Sequence, residues 1–329
     1  MKALVYTRYG PPNVLQLKDI ERPVAGNNEI VIKIHATTVN RTDCATIRGI
    51  PFFARVITAL FKPNKQIPGT EFAGEVVELG AEVSTFNLGD RVFGFDDEGA
   101  ESHAEYTCVA ADKVVTMPGN VTYAEAAASS EGAHYALNFI NKINLESGQR
   151  VLVNGATGAI GSSAVQLLKY FETEITAVCA SEHIELATSL GASRVIDYKE
   201  EDFTTDTQKF DYVFDAVGKS SFFECRKLLN PGGVYISSDL GYLSQNLVLP
   251  LITPAIKPFI EHKITKFPTP SNIGATLLLV QSLIEQGKFK TVIDRQYPLK
   301  NIVEAYKYVE TGQKVGNVII TVWPASQSR

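Results

Sequence analysis

The stretch Val151-Leu-Val-Asn-Gly-Ala-Thr-Gly-Ala-Ile-Gly161 decides the fold of this chain. Its apolar start, VLVN, predicts a short buried strand, and the following SSAVQLLKYF predicts a helix with an apolar face. The glycines between them permit a sharp turn, and the first N–H groups of the helix point at whatever lies above it. A glycine-rich string alone is weak evidence, because many strand-to-helix turns use glycine for local reasons. In this context it predicts a dinucleotide-binding turn.

Around this turn the chain alternates short β-branched strands with helices. Strands are predicted at 151–154, 175–179, 194–196, 212–216 and 234–238, and helices at 124–141, 160–171, 183–190 and 220–229. Buried strands that alternate with helices of this length form a parallel sheet covered on both faces. We therefore predict a doubly wound Rossmann domain in the middle of the chain.

Both ends of the chain have a different pattern. The first third predicts short strands at 3–6, 29–36, 74–79, 90–95 and 104–110, with many glycines and prolines between them. The C-terminal part predicts a helix at 271–286, a strand at 292–297, a helix at 301–311 and a strand at 315–322. A chain of 329 residues is long enough for two cores, so we predict an α/β protein with a β-rich domain beside the Rossmann domain.

Composition excludes several classes of protein. The 31 Lys and Arg residues and 36 Asp and Glu residues give a formal net charge of -5 without a basic block, so we predict no nucleic-acid surface. No apolar run reaches the ~18 residues that cross a bilayer, so no membrane partner is expected. No signal-peptide pattern opens the chain, and the cysteines lack a CxxC pair, so we predict a cytosolic protein in a reducing compartment; the cysteines are Cys44, Cys108, Cys179 and Cys225.

The cofactor contacts are predicted from the turn and from the next strand. The backbone of the turn is expected to hold a pyrophosphate, through Asn154, Gly155, Ala156, Thr157, Gly158, Ala159, Ile160 and Gly161. The second strand ends at Cys179, where an NAD enzyme usually offers a carboxylate to the ribose. Ser181 and Tyr198 would then donate hydrogen bonds to a 2'-phosphate, which favours NADPH over NADH. If the Glu182 carboxylate points inward, it repels a 2'-phosphate, and the site then favours NADH.

Several strings resemble the medium-chain dehydrogenase/reductase superfamily, specifically its zinc-free quinone oxidoreductase branch. They are MKALVYTRYGPPNVLQLKDIERP, IPGTEFAGEVVELGAEVSTFNLGDRVFGF, the glycine turn, SLGASRVIDYKEEDF, FDAVGK and VIDRQYPLKNIVEAYKYVETGQKVGNVIITV. The resemblance implies a GroES-like catalytic domain formed by 1–123 and 269–329, a Rossmann domain at 124–268, and a cofactor cleft where they meet. It also implies a homodimer that pairs Rossmann domains edge to edge, with GGVYISS and the following YLSQNLVLPL as the edge. It places Ala216, Val217, Gly218 and Asn317 beside the cofactor.

The same resemblance locates the catalytic positions. Zinc-dependent relatives bind a catalytic zinc with Cys, His and Cys, and here Asn40, Thr70 and Glu131 fall at those positions, with Glu71 beside them. Zinc prefers sulfur and imidazole nitrogen, so we predict no metal. Without this Lewis acid, reduction of an activated acceptor is favoured over alcohol oxidation. We therefore predict an NAD(P)H-dependent reductase of quinones or α,β-unsaturated carbonyls, with a small apolar substrate.

Each candidate residue has a structural alternative. Asn40 orients substrate or nicotinamide, or else is a turn residue after a strand. Glu131 has a raised pKa and donates a proton, or else pairs with a helix N-terminus. Tyr135, where relatives carry a Thr that touches nicotinamide, contacts the cofactor or packs in the core.

The sequence leaves two alternative functions, and the role of one segment, undecided. An alcohol dehydrogenase of the same superfamily would bind metal, and a non-enzymatic relative would bind NADPH without turnover. The apolar segment 51–61 forms, with 240–260, a lid or a subunit contact that favours hydrophobic acceptors, or it is an amphipathic helix packed on the core.

Overall fold

The computed structural model describes residues 1–50, 63, 65–241 and 244–323. Its contacts divide the chain into two compact units, Met1–Glu131 with Ile273–Arg329, and Gly132–Asn272. The first unit is thus formed by both ends of the chain, and the second is a continuous insertion between them. The predicted segment 51–61 lies outside the described residues.

The described strands and helices are as follows. The strands are β1 Lys2–Val5, β2 Gln16–Asp19, β3 Glu29–Val39, β4 Glu71–Leu79, β5 Arg91–Phe95, β6 Tyr106–Ala110, β7 Val114–Thr116, β8 Arg150–Asn154, β9 Glu174–Cys179, β10 Arg194–Asp197, β11 Phe210–Asp215, β12 Leu229–Ser237, β13 Ile264–Lys266, β14 Ile293–Pro298 and β15 Asn317–Thr321. The helices are α1 Arg41–Arg48, α2 Tyr123–Ala127, α3 Glu131–Ile140, α4 Ala159–Tyr170, α5 Ile184–Leu190, α6 Phe222–Cys225, α7 Gln245–Ile252, α8 Ile273–Glu285 and α9 Ile302–Glu310. Single 3-10 turns join several of these elements.

The first unit is organised around β3. Its sheet runs β14-β15-β3-β4-β5-β7, and β6 also pairs with β3. The first half of β3 is antiparallel to β6, and its second half is antiparallel to β15, while β4 follows its other edge. The strand EIVIKIHATTV is rich in β-branched residues and most of its side chains are buried, as expected for a central strand. It ends at Asn40, which begins the candidate site.

The predicted helix 124–141 is wrong as one continuous element. The structure has two helices there, and the first ends at Ala127. Thr122 caps α2 in a box with Glu125, whose backbone N–H it accepts at 3.3 Å. Ser129 then donates its hydroxyl to the Ala126 carbonyl at 2.7 Å, which competes with continuation of the helix. The chain restarts as α3 at Glu131.

The second unit is a six-stranded parallel sheet in the order β10-β9-β8-β11-β12-β13. Every neighbouring pair in it is parallel. Strand order reverses between β8 and β11, and open sheets of this kind bind ligands outside the carboxyl ends of the strands at such a switch point. The predicted fold class, a GroES-like β-rich domain with a doubly wound Rossmann domain, is confirmed.

The predicted dimer edge is wrong in its residues. The strand containing GGVYIS is β12, which pairs with β11 on one side and with β13 on the other, so it is interior to the sheet. The segment after it forms helix α7 rather than more edge strand. The edge belongs to β13, whose three residues are too few to give a strand pattern in the sequence. None of the described helices is long and apolar enough to cross a membrane.

Candidate active site

The turn between β8 and α4 depends on two glycines whose backbones pack closely against their neighbours. Gly155 follows β8 with a φ of +78°, and a Cβ there would lie 2.3 Å from a methyl of Val217. A Cβ at Gly161 would lie 2.1 Å from the carbonyl oxygen of Gly155. Only glycine fits both positions. Residues with a side chain rarely adopt the positive φ of Gly155, and a side chain has no room at Gly161.

The mouth of the same turn is open. Gly158 is the N-cap of α4, and a Cβ there would meet nothing nearer than the Gly155 carbonyl oxygen at 3.6 Å. No side chain of the described residues caps the helix, and the N–H groups of its first turn have no acceptor within the helix. Backbone donors at the positive end of a helix dipole suit an anion, so the turn fits the pyrophosphate of a dinucleotide.

Asp215 joins the ends of the two central strands, and sequence reasoning missed it. This fully buried carboxylate ends β11, and its Oδ1 accepts from Asn154 Nδ2 at 3.1 Å and from Gly218 N at 3.0 Å. The same oxygen accepts from Val217 N at 3.3 Å, while Oδ2 accepts from the Tyr235 hydroxyl at 3.1 Å. The structure therefore brings the predicted segment 216–218 beside the glycine turn. The only sequence signal was the aspartate of FDAVGK.

The other predicted cofactor residues lie at the ends of β9 and β10. Cys179 is buried, and its carbonyl accepts from Tyr198 N at 3.1 Å, while the Tyr198 and Ser181 side chains are both exposed. Glu182, whose role the sequence left open, pairs with Lys199, with Nζ at 2.8 Å from Oε2. Hydrogen bonding to this ammonium lowers the pKa of Glu182. Lys199 was missed in the sequence, although it directly follows Tyr198.

In the first unit the structure brings three predicted catalytic residues together. Asn40 Nδ2 donates to Glu71 Oε1 and to Glu131 Oε2, both at 3.0 Å. The Thr70 hydroxyl donates to Glu131 Oε2 at 3.2 Å, and Glu131 N donates to Glu71 Oε2 at 2.7 Å. All four side chains are buried. We call Asn40, Thr70, Glu71 and Glu131 the polar cluster.

Four further residues complete the surroundings of the polar cluster, and no sequence pattern indicated them. Thr38 donates to Glu71 Oε1 and Thr42 donates to Glu131 Oε1. Lys314 donates from Nζ to Asn40 Oδ1 at 3.0 Å and to the Gly316 carbonyl at 2.6 Å. Asp43 is buried and accepts from Asn40 N at 2.7 Å. These residues come from a strand, a helix and a distant loop, so only the fold brings them together.

Burial controls the protonation of these groups. Burial first, and then repulsion from Glu131, raises the pKa of Glu71 to about 8. Burial also raises the pKa of Asp43 well above its usual range, with repulsion from Glu131 adding to the effect, and it lowers the pKa of Lys314. Glu71 therefore holds a proton at neutral pH, which reduces the repulsion among the buried carboxyl groups.

The polar cluster does not fit zinc. Its candidate donors are an amide, a hydroxyl and two carboxyl groups, whereas zinc sites are built from thiolate, imidazole and carboxylate. These groups already bond to one another, and the Lys314 ammonium is directed at Asn40 Oδ1. Within the described ranges, no group of three or more His, Cys, Asp or Glu side chains is placed to hold a metal ion.

Two predicted site residues belong to a different unit from their expected companions. Tyr135 is on α3 in the second unit, whereas the polar cluster belongs to the first. Asn317 begins β15 in the first unit, whereas the other predicted cofactor residues are in the second. Asn317 Nδ2 donates to the carbonyls of Ala128 and Val292 at 3.2 Å, and its buried Oδ1 has no hydrogen-bond partner among the described residues.

Comparison with known proteins agrees with this geometry. The family described as "Alcohol dehydrogenase GroES-like domain" matches residues 26–131, and "Zinc-binding dehydrogenase" matches residues 190–320. A 2-methylene-furan-3-one reductase of Solanum lycopersicum is 32% identical over 332 residues, covering 97% of this chain and 79% of the relative. An NADPH-dependent alkenal/one oxidoreductase of Arabidopsis thaliana, a chloroplastic protein, is 30% identical with the same coverage.

A solved structure extends the comparison. The quinone oxidoreductase from Coxiella burnetii has a TM-score of 0.86 at 27% identity, covering 98% of this chain and 99% of that one. A GroES-like unit with a Rossmann unit defines a class of nucleotide-dependent oxidoreductases. The chain belongs to the medium-chain dehydrogenase/reductase superfamily, which confirms the resemblance seen in the sequence.

The raised pKa of Glu71 predicts a pH dependence of stability. The folded pKa of about 8 exceeds the ordinary value of 4.5, so unfolding releases a proton between these values. The stabilisation that comes from the raised pKa is fully present below pH 4.5 and is lost as the pH rises toward about 8. We expect Glu71→Gln to make the fall in unfolding free energy between about pH 5 and pH 8 shallower.

Urea titrations followed by Trp323 fluorescence measure this effect, because the only tryptophan lies in the first unit with Glu71. Glu82→Gln is the matched control, since Glu82 is exposed and makes one long hydrogen bond, from Asn27 at 3.4 Å. It should retain the pH dependence of the natural chain. An unchanged pH dependence in Glu71→Gln contradicts the assignment.

Proposed function

We propose that this chain reduces α,β-unsaturated carbonyl compounds or quinones by hydride transfer with NADPH. The observation that carries the proposal is the polar cluster, a hydrogen-bonded set of carboxyl, amide and hydroxyl groups at the positions where zinc-dependent members of the superfamily bind metal. Such a site lacks a Lewis acid for alcohol oxidation but offers hydrogen-bond donors to an activated acceptor. The names of the relatives support the same substrate class.

The second unit would hold the cofactor with its own backbone. The open side of Gly158 and the first amides of α4 suit the pyrophosphate, and Asp215 holds the segment 216–218 in place beside them. When bound, NADPH supplies the hydride. The chain's contribution is to orient the dinucleotide by binding its pyrophosphate with backbone N–H groups.

Thr70 is the donor that we assign to the substrate oxygen. Hydride addition to an enone or quinone carbon moves negative charge onto the oxygen, where one hydrogen bond stabilises it. Glu131 accepts the Thr70 hydroxyl hydrogen in the structure and so holds this side chain in position; the hydroxyl would turn this one hydrogen to the substrate oxygen, and water supplies the proton that the reduction consumes. The half-buried Thr42 donates to the other oxygen of Glu131 and links it toward the surface. One proton and one hydride complete the reduction.

We propose a preference for NADPH over NADH from the charges at the end of β10. Lys199 compensates Glu182, which removes the main objection to a 2'-phosphate beside Ser181 and Tyr198. Cys179 offers no carboxylate to a ribose hydroxyl. A 2'-phosphate therefore meets the Lys199 ammonium and hydroxyl donors, whereas the ribose of NADH leaves Lys199 paired with Glu182 alone.

A direct assay tests the activity and separates the other two functions. We expect NADPH oxidation with a 2-alkenal or 9,10-phenanthrenequinone, unaffected by EDTA. Gly158→Val should keep its far-UV circular dichroism and lose at least about a hundredfold in NADPH affinity, because the side chain fills the pyrophosphate position. Fluorescence enhancement of NADPH measures the binding.

Gly119→Val is the matched control, since nothing lies within 4 Å of a Cβ at that exposed position. It should bind NADPH normally. Turnover of alcohols that EDTA abolishes would indicate a metal-dependent dehydrogenase instead. NADPH binding without turnover of either acceptor would indicate a binding protein.

The role of Thr70 predicts a loss in kcat rather than in cofactor binding. Thr70→Val keeps the shape but removes the donor, so kcat should fall about a hundredfold while NADPH affinity is unchanged. Thr70→Ser should recover most of the rate. Thr265→Val is the control, because the buried Thr265 hydroxyl has no hydrogen-bond partner among the described residues. A normal kcat in Thr70→Val overturns the assignment.

The charge argument predicts a change in cofactor choice. Lys199→Ala removes the phosphate partner and exposes Glu182, so KM for NADPH should rise about tenfold while KM for NADH changes little. Steady-state kinetics with both cofactors measures the ratio. Lys209→Ala is the matched control, since that lysine precedes β11 at its amino end and bonds to the Lys227 carbonyl. An unchanged ratio in Lys199→Ala contradicts the preference.

The homodimer stays a prediction, with β13 rather than β12 as the strand available for pairing. Sedimentation velocity of the purified chain measures it. A single species of monomer mass would contradict it.

A further inference from the structure

The first unit contains a cavity of about 1130 Å³, and every residue that lines it belongs to this unit. Its lining includes His35 and Tyr123, together with Trp323. We propose that this cavity binds an organic anion with a flat apolar body, an aromatic carboxylate or sulfonate.

The cavity is separate from the polar cluster. His35 precedes Asn40 by five residues on β3, which corresponds to about 17 Å along an extended strand. Thr321 lines the same cavity and pairs with Ala36, at the end of β15 opposite Asn317. The two sites therefore lie toward opposite ends of the same strand pair, and a ligand in the cavity does not occupy the candidate active site.

His35 is the polar group that indicates a ligand-binding site. Its side chain is 8% exposed, and neither ring nitrogen has a hydrogen-bond partner among the described residues. Buried polar groups almost always have partners, but neither nitrogen has appreciable accessible surface, so the ring must turn about its Cβ–Cγ bond, within its stack on Tyr123, to present an N–H to a ligand in the cavity. The nearest carboxylate, Glu75, is 4.0 Å from Nε2, beyond hydrogen-bonding distance.

The protonation of His35 is consistent with a donor. Burial lowers its pKa, as do the neighbouring charges of Lys33 and Arg91, while Glu75 opposes them. The ring is therefore neutral at pH 7 and carries one N–H. A carboxylate or sulfonate oxygen accepts from this N–H without a preceding proton transfer.

The walls favour a flat apolar body. The imidazole of His35 stacks on the Tyr123 ring, with centroids 4.3 Å apart and planes 10° apart. The Trp323 indole is another wall, and apolar side chains fill much of the remainder, among them Val121, Leu299 and Val322. Aromatic walls contact planar ligands over a large area. The volume exceeds the usual range for small-molecule pockets, so a ligand of two or more fused rings fits.

The charged residues of the lining favour an anion. Lys2, Arg91 and Lys300 line the cavity against one carboxylate, Glu105. Lys2 is paired with Asp19 at 3.1 Å, so Arg91 and Lys300 are the cations available to a ligand. The Arg91 guanidinium lies 4.8 Å from the centre of the Tyr123 ring, next to the stacked pair. Arg91 and Lys300 therefore offset the Glu75 carboxylate beside His35 and attract an acidic group of a ligand.

Trp323 makes the proposal directly measurable, because it is the only tryptophan in the chain and lines the cavity. The probe is 8-anilinonaphthalene-1-sulfonate, and saturating NADP+ keeps it out of the nucleotide site. We expect saturable quenching of Trp323 with energy transfer to the probe. N-phenyl-1-naphthylamine has the same rings without the sulfonate, and its affinity should be at least about tenfold weaker. Equal affinity for both probes, or no saturable quenching, overturns the proposal.

Two variants test the residues. His35→Phe retains a flat ring against Tyr123 but removes the N–H, and Lys300→Gln removes a cation. Each should weaken the sulfonate probe about tenfold and leave the neutral probe unchanged. His262→Phe is the matched control, since His262 is exposed in the second unit. Circular dichroism and urea unfolding establish that the variants fold. Unchanged sulfonate affinity in both folded variants contradicts the site.

Discussion

The contact between Gly161 and the Gly155 carbonyl is the constraint on which the nucleotide unit depends. A Cβ at Gly161 would approach that oxygen to 2.1 Å, so the helix packs against the turn with no side chain between them. This closeness directs the first amides of α4 at the open side of Gly158. A wider turn would move the amides away from a phosphate, and a side chain at Gly158 would occupy its place. The same local geometry thus provides both the close packing of the helix and the binding site for an anion.

The first unit has a different constraint, because it buries carboxyl groups without a metal. Asp43, Glu71 and Glu131 are all buried, and one lysine cannot balance three charges in a poorly solvated interior. The raised pKa values of Asp43 and Glu71, about 8 for Glu71, reduce the negative charge, and the Lys314 side chain donates to the adjacent Asn40. Hydrogen bonds from amide and hydroxyl groups then satisfy the oxygens. The site is consequently polar and held rigidly, which suits the positioning of one donor.

Surface charges near the cofactor unit act more weakly, because solvent screens them. The ion pair of Lys199 and Glu182 has both side chains about half exposed, at 46% and 54%, so its contribution to stability is small. The proposed preference for NADPH rests instead on direct contact, because the Lys199 ammonium compensates Glu182 and can bond a 2'-phosphate.

Much of the fold was readable from local pattern, since strand and helix periods are set by residues close in sequence. The turn 154–161, the parallel strands and the positions of Asn40, Thr70 and Glu131 were all indicated by sequence or by resemblance to a family. The break in the helix at Ser129 and the short edge strand β13 were not, because hydroxyl competition and sheet pairing are decided by neighbours. The sequence by itself determined the nucleotide-binding turn, because its glycines are required by a local backbone path. Only the tertiary structure decided the partners of Glu71 and the pairing of Glu182 with Lys199, since burial and charge contacts depend on segments far apart in the chain.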